Sequence, residues 1–392
     1  MQHYDIIIAG GGAAGLSLAY RLMLSPLRNL TILIIDKDDN DQMTRNWGFW
    51  TARPTLFDQV AHHAWRQLDF VTADTQLRLE LGAYEYRLMH GADFYRFVLA
   101  QLAACPNVTF MKGVVGQITD GDAAAQVVVN DDAVSGGWVF DSIVHPAEMC
   151  RLSGRHVLLR MHFKGWEIET AGPAFDATAA RLFDLRTAQR GALRFLYLMP
   201  YTERRAFIEY TVFSADVLRQ QEYDEALKTY IESVLGIRAY SVASREAGVV
   251  PVTDYRFPRR AAAHVVNIGA KGGRIKPSTG YSFMRIQDDS AAIIKSLLAN
   301  GHPFDVPSGG RFYRACDSLL LRVMADHGEA IETIYRHLFR RNPIQRVLRF
   351  LDEESSPLET AALIATLPPL RFLQAAFQLP RRERKNAIQS AR

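Results

Sequence analysis

Apolar positions open the chain in a short unbroken run, Ile6-Ile7-Ile8-Ala9, and return between Leu30 and Ile35, with a stretch of helical period over residues 16–23 between them. Continuous apolar runs of this length read as strands buried on both faces, so residues 5–36 predict a βαβ unit. The helical period recurs over 92–104 through Phe94, Phe97, Val98, Leu99 and Leu102, and strand-like runs follow at 108–111, 127–129 and 138–142. From 66 to 88 the pattern shortens to strands, with Tyr84 and Tyr86 on one face. Loose alternation through Leu159, Met161, Phe163 and Trp166 predicts a strand over 157–170, and runs at 193–199 and 206–211, joined by Pro200-Tyr201-Thr202-Glu203, predict a hairpin. A helix is expected over 223–235, a strand over 264–268 and another helix ending at Leu298. Beyond Arg311 the pattern is helical, broken at Leu367-Pro368-Pro369-Leu370 and Leu379-Pro380.

Glycine gives the first unit its chemistry. Gly10, Gly12 and Gly15 take the G-x-G-x-x-G spacing between first strand and first helix, which permits a tight turn, close approach to a pyrophosphate and close helix packing. Asp36 stands 21 residues after Gly15, at the end of the second strand, where a carboxylate can accept from an adenosine ribose. A glycine-rich packing turn and a solvated strand-end acid would explain the same letters, but strand, turn, helix, strand and acid occur here in order, and a bound dinucleotide is expected. The position of the unit and the long insertion before the sheet resumes point to FAD. A second glycine turn, Gly269-Ala270-Lys271-Gly272-Gly273, and then Lys276-Pro277-Ser278-Thr279-Gly280-Tyr281 feed another helix N-terminus, either to hold the rest of the dinucleotide or as an ordinary loop. The segment Arg45 to Trp50 suits either a wall against a flat ligand or core packing.

The expected fold is therefore α/β. A Rossmann-like FAD-binding domain, discontinuous over 1–60, 90–150 and 255–305, carries an inserted antiparallel-sheet substrate domain over 61–89 and 151–254 and a helical C-terminal region over 306–392. A length of 392 residues allows this division, because single cores stop growing at roughly 250–300 residues. A net charge of +4 gives no reason to expect nucleic acid. Arg381, Arg382, Arg384, Lys385 and Arg392, opposed only by Glu383, form either a lipid contact or a solvated tail. Cys105, Cys150 and Cys316 lack C-x-x-C spacing, so neither disulfide framework nor zinc ribbon is expected, and a reducing compartment is. His62 and His63 diverge as neighbours in either strand or helix, and Asp38, Asp39 and Asp41 read as a solvated loop, so no metal is expected. The opening apolar segment reads as strand and helix rather than as signal or anchor, and no other run is long enough to span a bilayer, so any membrane contact would be made from the side.

Several stretches together resemble the lycopene cyclase family of FAD-containing carotenoid enzymes, bacterial beta-cyclase type. They are the Gly10–Gly15 turn, Asn46-Trp47-Gly48-Phe49-Trp50, Gly165-Trp166-Glu167, Phe183-Asp184, Phe195-Leu196-Tyr197-Leu198-Met199-Pro200, Phe207-Ile208-Glu209-Tyr210-Thr211 and Lys276 to Tyr281. The resemblance covers most of residues 1–300. Plant-type members carry Phe-Leu-Glu-Glu-Thr where this chain has Phe207 to Thr211, so the second glutamate is replaced by Tyr210 and a two-carboxylate mechanism is put in question.

The resemblance implies redox-neutral cyclisation of the linear ends of lycopene by an enzyme that uses reduced FAD, with NAD(P)H as candidate reductant. It also implies a cytoplasmic location at the inner face of a membrane, touched peripherally, since the substrate dissolves there. Expected cofactor contacts are Gly10, Gly12, Ala13, Ala14, Gly15, Asp36 and Lys37 at the first turn, and Asn46 and Trp47 beyond it. Gly269, Pro277, Ser278, Thr279, Gly280 and Tyr281 complete the set.

Protonating an alkene needs a carboxyl that burial keeps neutral. Glu209 shares a strand face with Phe207 and Thr211, a face that pattern alone leaves open between pocket and solvent, and the resemblance makes it the expected proton donor. Glu167 and Asp184 follow as candidates for the base or for orienting groups, Trp166 and Tyr210 as aromatic faces for a cation, and Asp352-Glu353-Glu354 reads as a solvated turn. The competing classes are a redox flavoenzyme on the same framework, monooxygenase or isoprenoid reductase, and a carotenoid or lipid carrier.

Overall fold

The computed structural model describes residues 1–38, 45–145, 148 and 156–378. Expectations for Asp39, Asp41, Cys150, Leu379-Pro380 and the basic run ending at Arg392 lie outside the described residues.

The chain opens with β1 (His3–Ala9), α1 (Ala13–Met23) and β2 (Ile32–Asp36). Then come β3 (Asn46–Thr51), β4 (His63–Trp65), β5 (Gln67–Val71), β6 (Gln76–Glu80), β7 (Glu85–His90) and α2 (Gly91–Ala103). Next are β8 (Val108–Lys112), β9 (Val115–Asp120), β10 (Ala125–Val129) and β11 (Asp132–Asp141). The middle holds β12 (Leu158–Thr170), β13 (Ala179–Asp184), β14 (Leu193–Pro200), β15 (Arg205–Ser214), α3 (Gln220–Thr229) and β16 (Tyr240–Thr253). After β17 (Val265–Asn267) and α4 (Phe283–Asn300) the chain is helical: α5 (Arg311–Asp326), α6 (Ile331–Arg341), α7 (Ile344–Leu351), α8 (Pro357–Ile364) and α9 (Pro369–Gln378).

The first sheet has the order β8-β2-β1-β11-β10-β9, with β17 also on β11. Its β8, β2, β1, β11 and β17 pair in parallel. Ile6 and Ile8 pack with α1, α2 and α4 on one face, and Ile7 and Ala9 pack with Val127 and Val129 of the antiparallel β9-β10 arm on the other. Burial on both faces is why the run is apolar without alternation.

The second sheet runs β16-β12-β15-β14-β13-β5-β6 and is antiparallel except where β13 meets β5. Alternation divides its faces. Trp166, Ile168, Leu196, Leu198, Ile208 and Tyr210 pack under Tyr223, Leu227 and Tyr230 of α3 and the π-helical turn that continues it. The opposite face, with Phe195, Tyr197, Met199, Phe207 and Phe213, shares a core with the C-terminal helices through Tyr335 and Phe339. A small sheet, β3-β7-β4, adds Tyr86 and Trp50 to that core.

The longest strand, β16, is not predicted by its own pattern. It is an edge strand, and edges carry the polar residues and the proline, here Arg245, Glu246 and Pro251, that blur a strand pattern. The 352–354 turn also differs from expectation. Asp352 accepts from Trp50 Nε1 at 2.8 Å, and Glu353 takes Lys276 and Arg285 at 3.3 and 2.9 Å, so this acidic turn ties the helical region to the sheets.

Candidate active site

The two glycine turns meet. Gly10 adopts φ +100°, and a Cβ on Gly15 would lie 2.1 Å from the Gly10 carbonyl oxygen, so α1 can approach β1 this closely only without one. Gly12 caps α1 without a side-chain hydrogen bond, the first turn holds no acidic residue, and a Cβ at Gly12 would meet nothing within 4 Å. The positive end of the helix thus opens into space, the setting a phosphate requires. Asp36 Oδ2 accepts from the Gly11 N–H at 2.6 Å. On the facing turn a Cβ at Gly269 would stand 2.8 Å from Ala14 Cβ. The cradle fits a dinucleotide pyrophosphate.

One cavity of about 370 Å³ joins this cradle to the second sheet. Gly12, Ala13 and Ala14 line it with Asn46, Trp47 and Gly269; Thr279, Gly280 and Tyr281 enter from the second turn. Its far wall is Met161, Phe163, Tyr197, Met199, Phe207 and Glu209. Pro277 and Ser278, expected among the cofactor contacts, do not line it. Pro277 borders a different hollow, beside Tyr255 and Phe257, because the start of this loop is drawn aside by Lys276, buried between Asp317 at 3.1 Å and Glu353 at 3.3 Å. Lys37 is 70% exposed and faces Asp38 at 3.8 Å, away from the cavity.

Glu209 lies on β15 opposite Tyr197 of β14 and Gly165 of β12. Its Oε1 accepts from Thr211 Oγ1 at 2.7 Å, and burial raises its pKa well above the ordinary carboxylate range. The phenols Tyr86 and Tyr197 both stand near Tyr281 Oη, at 3.4 and 3.3 Å, and burial holds all three neutral. A second carboxyl is hidden from the sequence pattern. Glu246 on β16 is also opposite Gly165, is 4% exposed, and accepts from the Asn46 backbone N–H at 2.9 Å and from Asn46 Nδ2 at 2.6 Å. Only knowledge of β16 and its register would have found it.

Four other expectations are corrected. Glu167 does not line the cavity: Arg205 holds it at 2.5 Å and Ser244 donates to it at 3.0 Å. Asp184 is fully buried elsewhere, held by Arg181, Arg186 and Tyr230 at 2.9, 2.6 and 2.7 Å, a structural ion pair with no free lone pair facing the cavity. Trp166 and Tyr210 lie on the α3 face, one residue out of phase with Glu209. The divergence of His62 from His63 also leaves room for a partner outside the pair. His62 stacks on His90 at 3.8 Å, and among the described residues these two and Asp93 bring ligand-capable atoms within 4.8 Å of one another.

A family model described as lycopene cyclase protein matches residues 5–377. A chloroplastic neoxanthin synthase of Solanum lycopersicum is 25% identical over 301 residues, and a chloroplastic lycopene beta cyclase of Arabidopsis thaliana 24%. Both matches take in 72% of this chain and 58% of the relative, so the similarity spans little more than half the length of those proteins. Among solved structures, a geranylgeranyl bacteriochlorophyll reductase-like protein of Thermoplasma acidophilum superposes with a TM-score of 0.59 at 14% identity, covering 100% of both chains. A probable FAD-dependent monooxygenase of Pseudomonas aeruginosa gives 0.57 at 13%, covering 93% of this chain and 99% of its own. The fold is the one these flavoprotein structures share.

Proposed function

Since the chain belongs to the lycopene cyclase family, we propose that it is a lycopene beta-cyclase: a redox-neutral, acid-catalysed isomerase that closes the linear ends of lycopene, or of a related linear carotene, into β-ionone rings. The observation that carries this reading is Glu209, a carboxyl on the wall of an aromatic and aliphatic cavity with no cation paired to it among the described residues. A carboxyl in such surroundings keeps its proton near neutral pH and is acid enough to deliver it to an alkene.

Neutral Glu209 donates its proton to the terminal double bond of the substrate, leaving a tertiary cation. The neighbouring double bond attacks that cation and closes a six-membered ring, and the charge moves to the adjoining tertiary carbon. Loss of a ring proton completes the β-ionone double bond. One proton enters and one leaves, so substrate and product have the same formula. The rings of Tyr86, Tyr197 and Phe207 present negative faces to a passing cation, and apolar walls keep out the water that would trap it as an alcohol. Reduced FAD, with NAD(P)H as its reductant, would be held by Gly12, Ala13, Ala14, Asn46, Trp47, Gly269 and Thr279 to Tyr281, and supplies an electron-rich ring that stabilises positive charge nearby.

A substrate dissolved in lipid calls for contact with the cytoplasmic face of a membrane. Leu358, Leu370, Leu373 and Phe377 expose apolar side chains on α8 and α9, and the sequence that follows is basic.

The test is anaerobic incubation of the purified protein with lycopene and chemically reduced FAD, followed by chromatography and mass analysis. Cyclic products of unchanged mass are expected, reduced about 10²- to 10⁴-fold in rate by Glu209→Gln, the usual worth of a general acid. Products altered in oxygen or hydrogen content would replace this reading with a redox flavoenzyme.

A further inference from the structure

The two carboxyls, Glu246 buried and Glu209 partly buried on the cavity wall, are linked by strand register. Gly165 of β12 pairs with Glu209 on one side and with Glu246 on the other, so both acids stand on one face of three adjacent strands. Strands lie roughly 4.8 Å apart, which puts the two Cα atoms about 10 Å from each other with both side chains rising from the same surface. The residue between them has no side chain. A Cβ at Gly165 would stand 2.2 Å from the tip of the Phe207 ring, so the ring edge fills the space above Gly165.

We propose that Glu209 and Glu246 are an electrostatically coupled carboxyl pair across Gly165, with the charge on Glu246 and the proton on Glu209, and that Glu246 is the positioning residue that keeps the acid loaded. The last clause rests on the function proposed above; the coupling of the two carboxyls does not.

In a dry site the charge on one carboxyl disfavours charge on the other even across two strand spacings. Which one keeps the proton follows from the donors around it. Both oxygens of Glu246 accept from Asn46, and two N–H donors favour a carboxylate. Arg45, just before β3, adds positive potential toward Glu246. Glu209 receives a single hydroxyl, from Thr211, and its Oε2 has no hydrogen-bond partner among the described residues, which leaves that oxygen to carry hydrogen. The other titratable groups facing the pair are Tyr86 from β7, Tyr197 from β14 and Tyr281 ahead of α4, all toward Glu209, and Tyr201, which faces Glu246 together with Glu167 and Arg205. The phenols stay neutral, and among the described residues no cation is paired with Glu209. The pair also gives a physical role to a second carboxylate in a chain whose 207–211 segment holds only one.

Infrared titration of the purified full-length protein, without lycopene, reads the carbonyl stretch of a protonated carboxyl. In the wild type, in addition to the band of Asp352, which burial also raises and which every variant keeps, such a band should persist above the ordinary carboxylate range. Glu209→Gln should abolish it; Glu246→Gln should keep it but lower its midpoint by about one pH unit or more, because a like charge has been removed. Should Glu246→Gln not fold, Asn46→Ala keeps both acids and weakens only the stabilisation of the Glu246 charge, so the Glu209 midpoint should fall there too. A band lost in Glu246→Gln and kept in Glu209→Gln, or a midpoint unmoved in either partner variant, overturns the proposal. If lycopene is not cyclised while the band behaves as expected, the pair stands and the proposed reaction falls; if lycopene is cyclised while the midpoint stays put, the reaction stands and the pair falls.

Discussion

Burying a carboxyl costs nothing in charge until the solvent demands that it ionise. Glu209 has a folded-state pKa raised by burial, whereas an unfolded glutamate titrates near about 4.3. Below that range both states are protonated and stability is unaffected. Above it the unfolded chain releases a proton that the folded chain keeps on Glu209, so stability declines as pH rises, by about 1.4 kcal/mol per pH unit, until the folded value is passed. The melting temperature should therefore fall between about pH 5 and about pH 7 more steeply in the wild type than in Glu209→Gln; calorimetry giving equal slopes would mean that Glu209 ionises normally in the folded protein. At this scale the sequence is legible where local parity decides. The face that Glu209 shares with Phe207 and Thr211 follows from alternation along one strand. The face of Trp166 is not legible in that way, because it depends on the pairing of Gly165 with Glu209, a relation between strands that no single run displays.

Among the elements, strands buried on both sides and helices of clear period are legible in the sequence, and an edge is not. β1 and β2 announce themselves by unbroken apolar runs, while β16 needs a polar, proline-bearing sequence because one of its sides has no neighbouring strand. Glu246 is hidden with it. The same geometry limits how the 207–211 segment can be altered. Restoring a second glutamate by Tyr210→Glu would place no acid in the cavity, because residue 210 lies 2% exposed under Tyr223 on the α3 face. We expect that variant to lose about 3 kcal/mol of stability from the missing buried ring, although Arg194, which donates to Tyr210 Oη at 3.3 Å, stands close enough to pair with the new carboxylate, and the pH profile of turnover to be unchanged in whatever folds. Chemical denaturation and rate-against-pH curves measure the two effects separately, and an added acidic limb in the profile would show that the strand had changed face.

For the molecule as a whole, the site arises where two sheets and a helical cap converge, and each contributes something the others lack: phosphate-binding helix ends, an aromatic wall, and the closing contacts of Asp352 and Glu353. Among the described residues no single helix is long and apolar enough to cross a membrane. Leu370 and Phe377 on α9 are nevertheless 64% and 73% exposed. Burial of such side chains in lipid is worth about 1.5–3 kcal/mol each, so replacing both with serine should weaken co-sedimentation with anionic phospholipid vesicles by tenfold or more while leaving the melting temperature within a few degrees. Unaltered partitioning would show that α9 is not a membrane contact.

The order in which the ribosome delivers these parts matters too. β1, β2, β8 and β11 are made early, but β17, which pairs with the end of β11, and α4, which packs on α1 through the Gln287–Ser17 hydrogen bond, are made only after the whole second sheet has emerged. Until then the nascent N-terminal half has an open strand edge and an uncovered helix, and the turn at Gly269 that faces Ala14 does not exist. Loading of a dinucleotide must therefore be one of the last events in the life of the growing chain, and a ribosome stalled before residue 265 should hold a product that binds none.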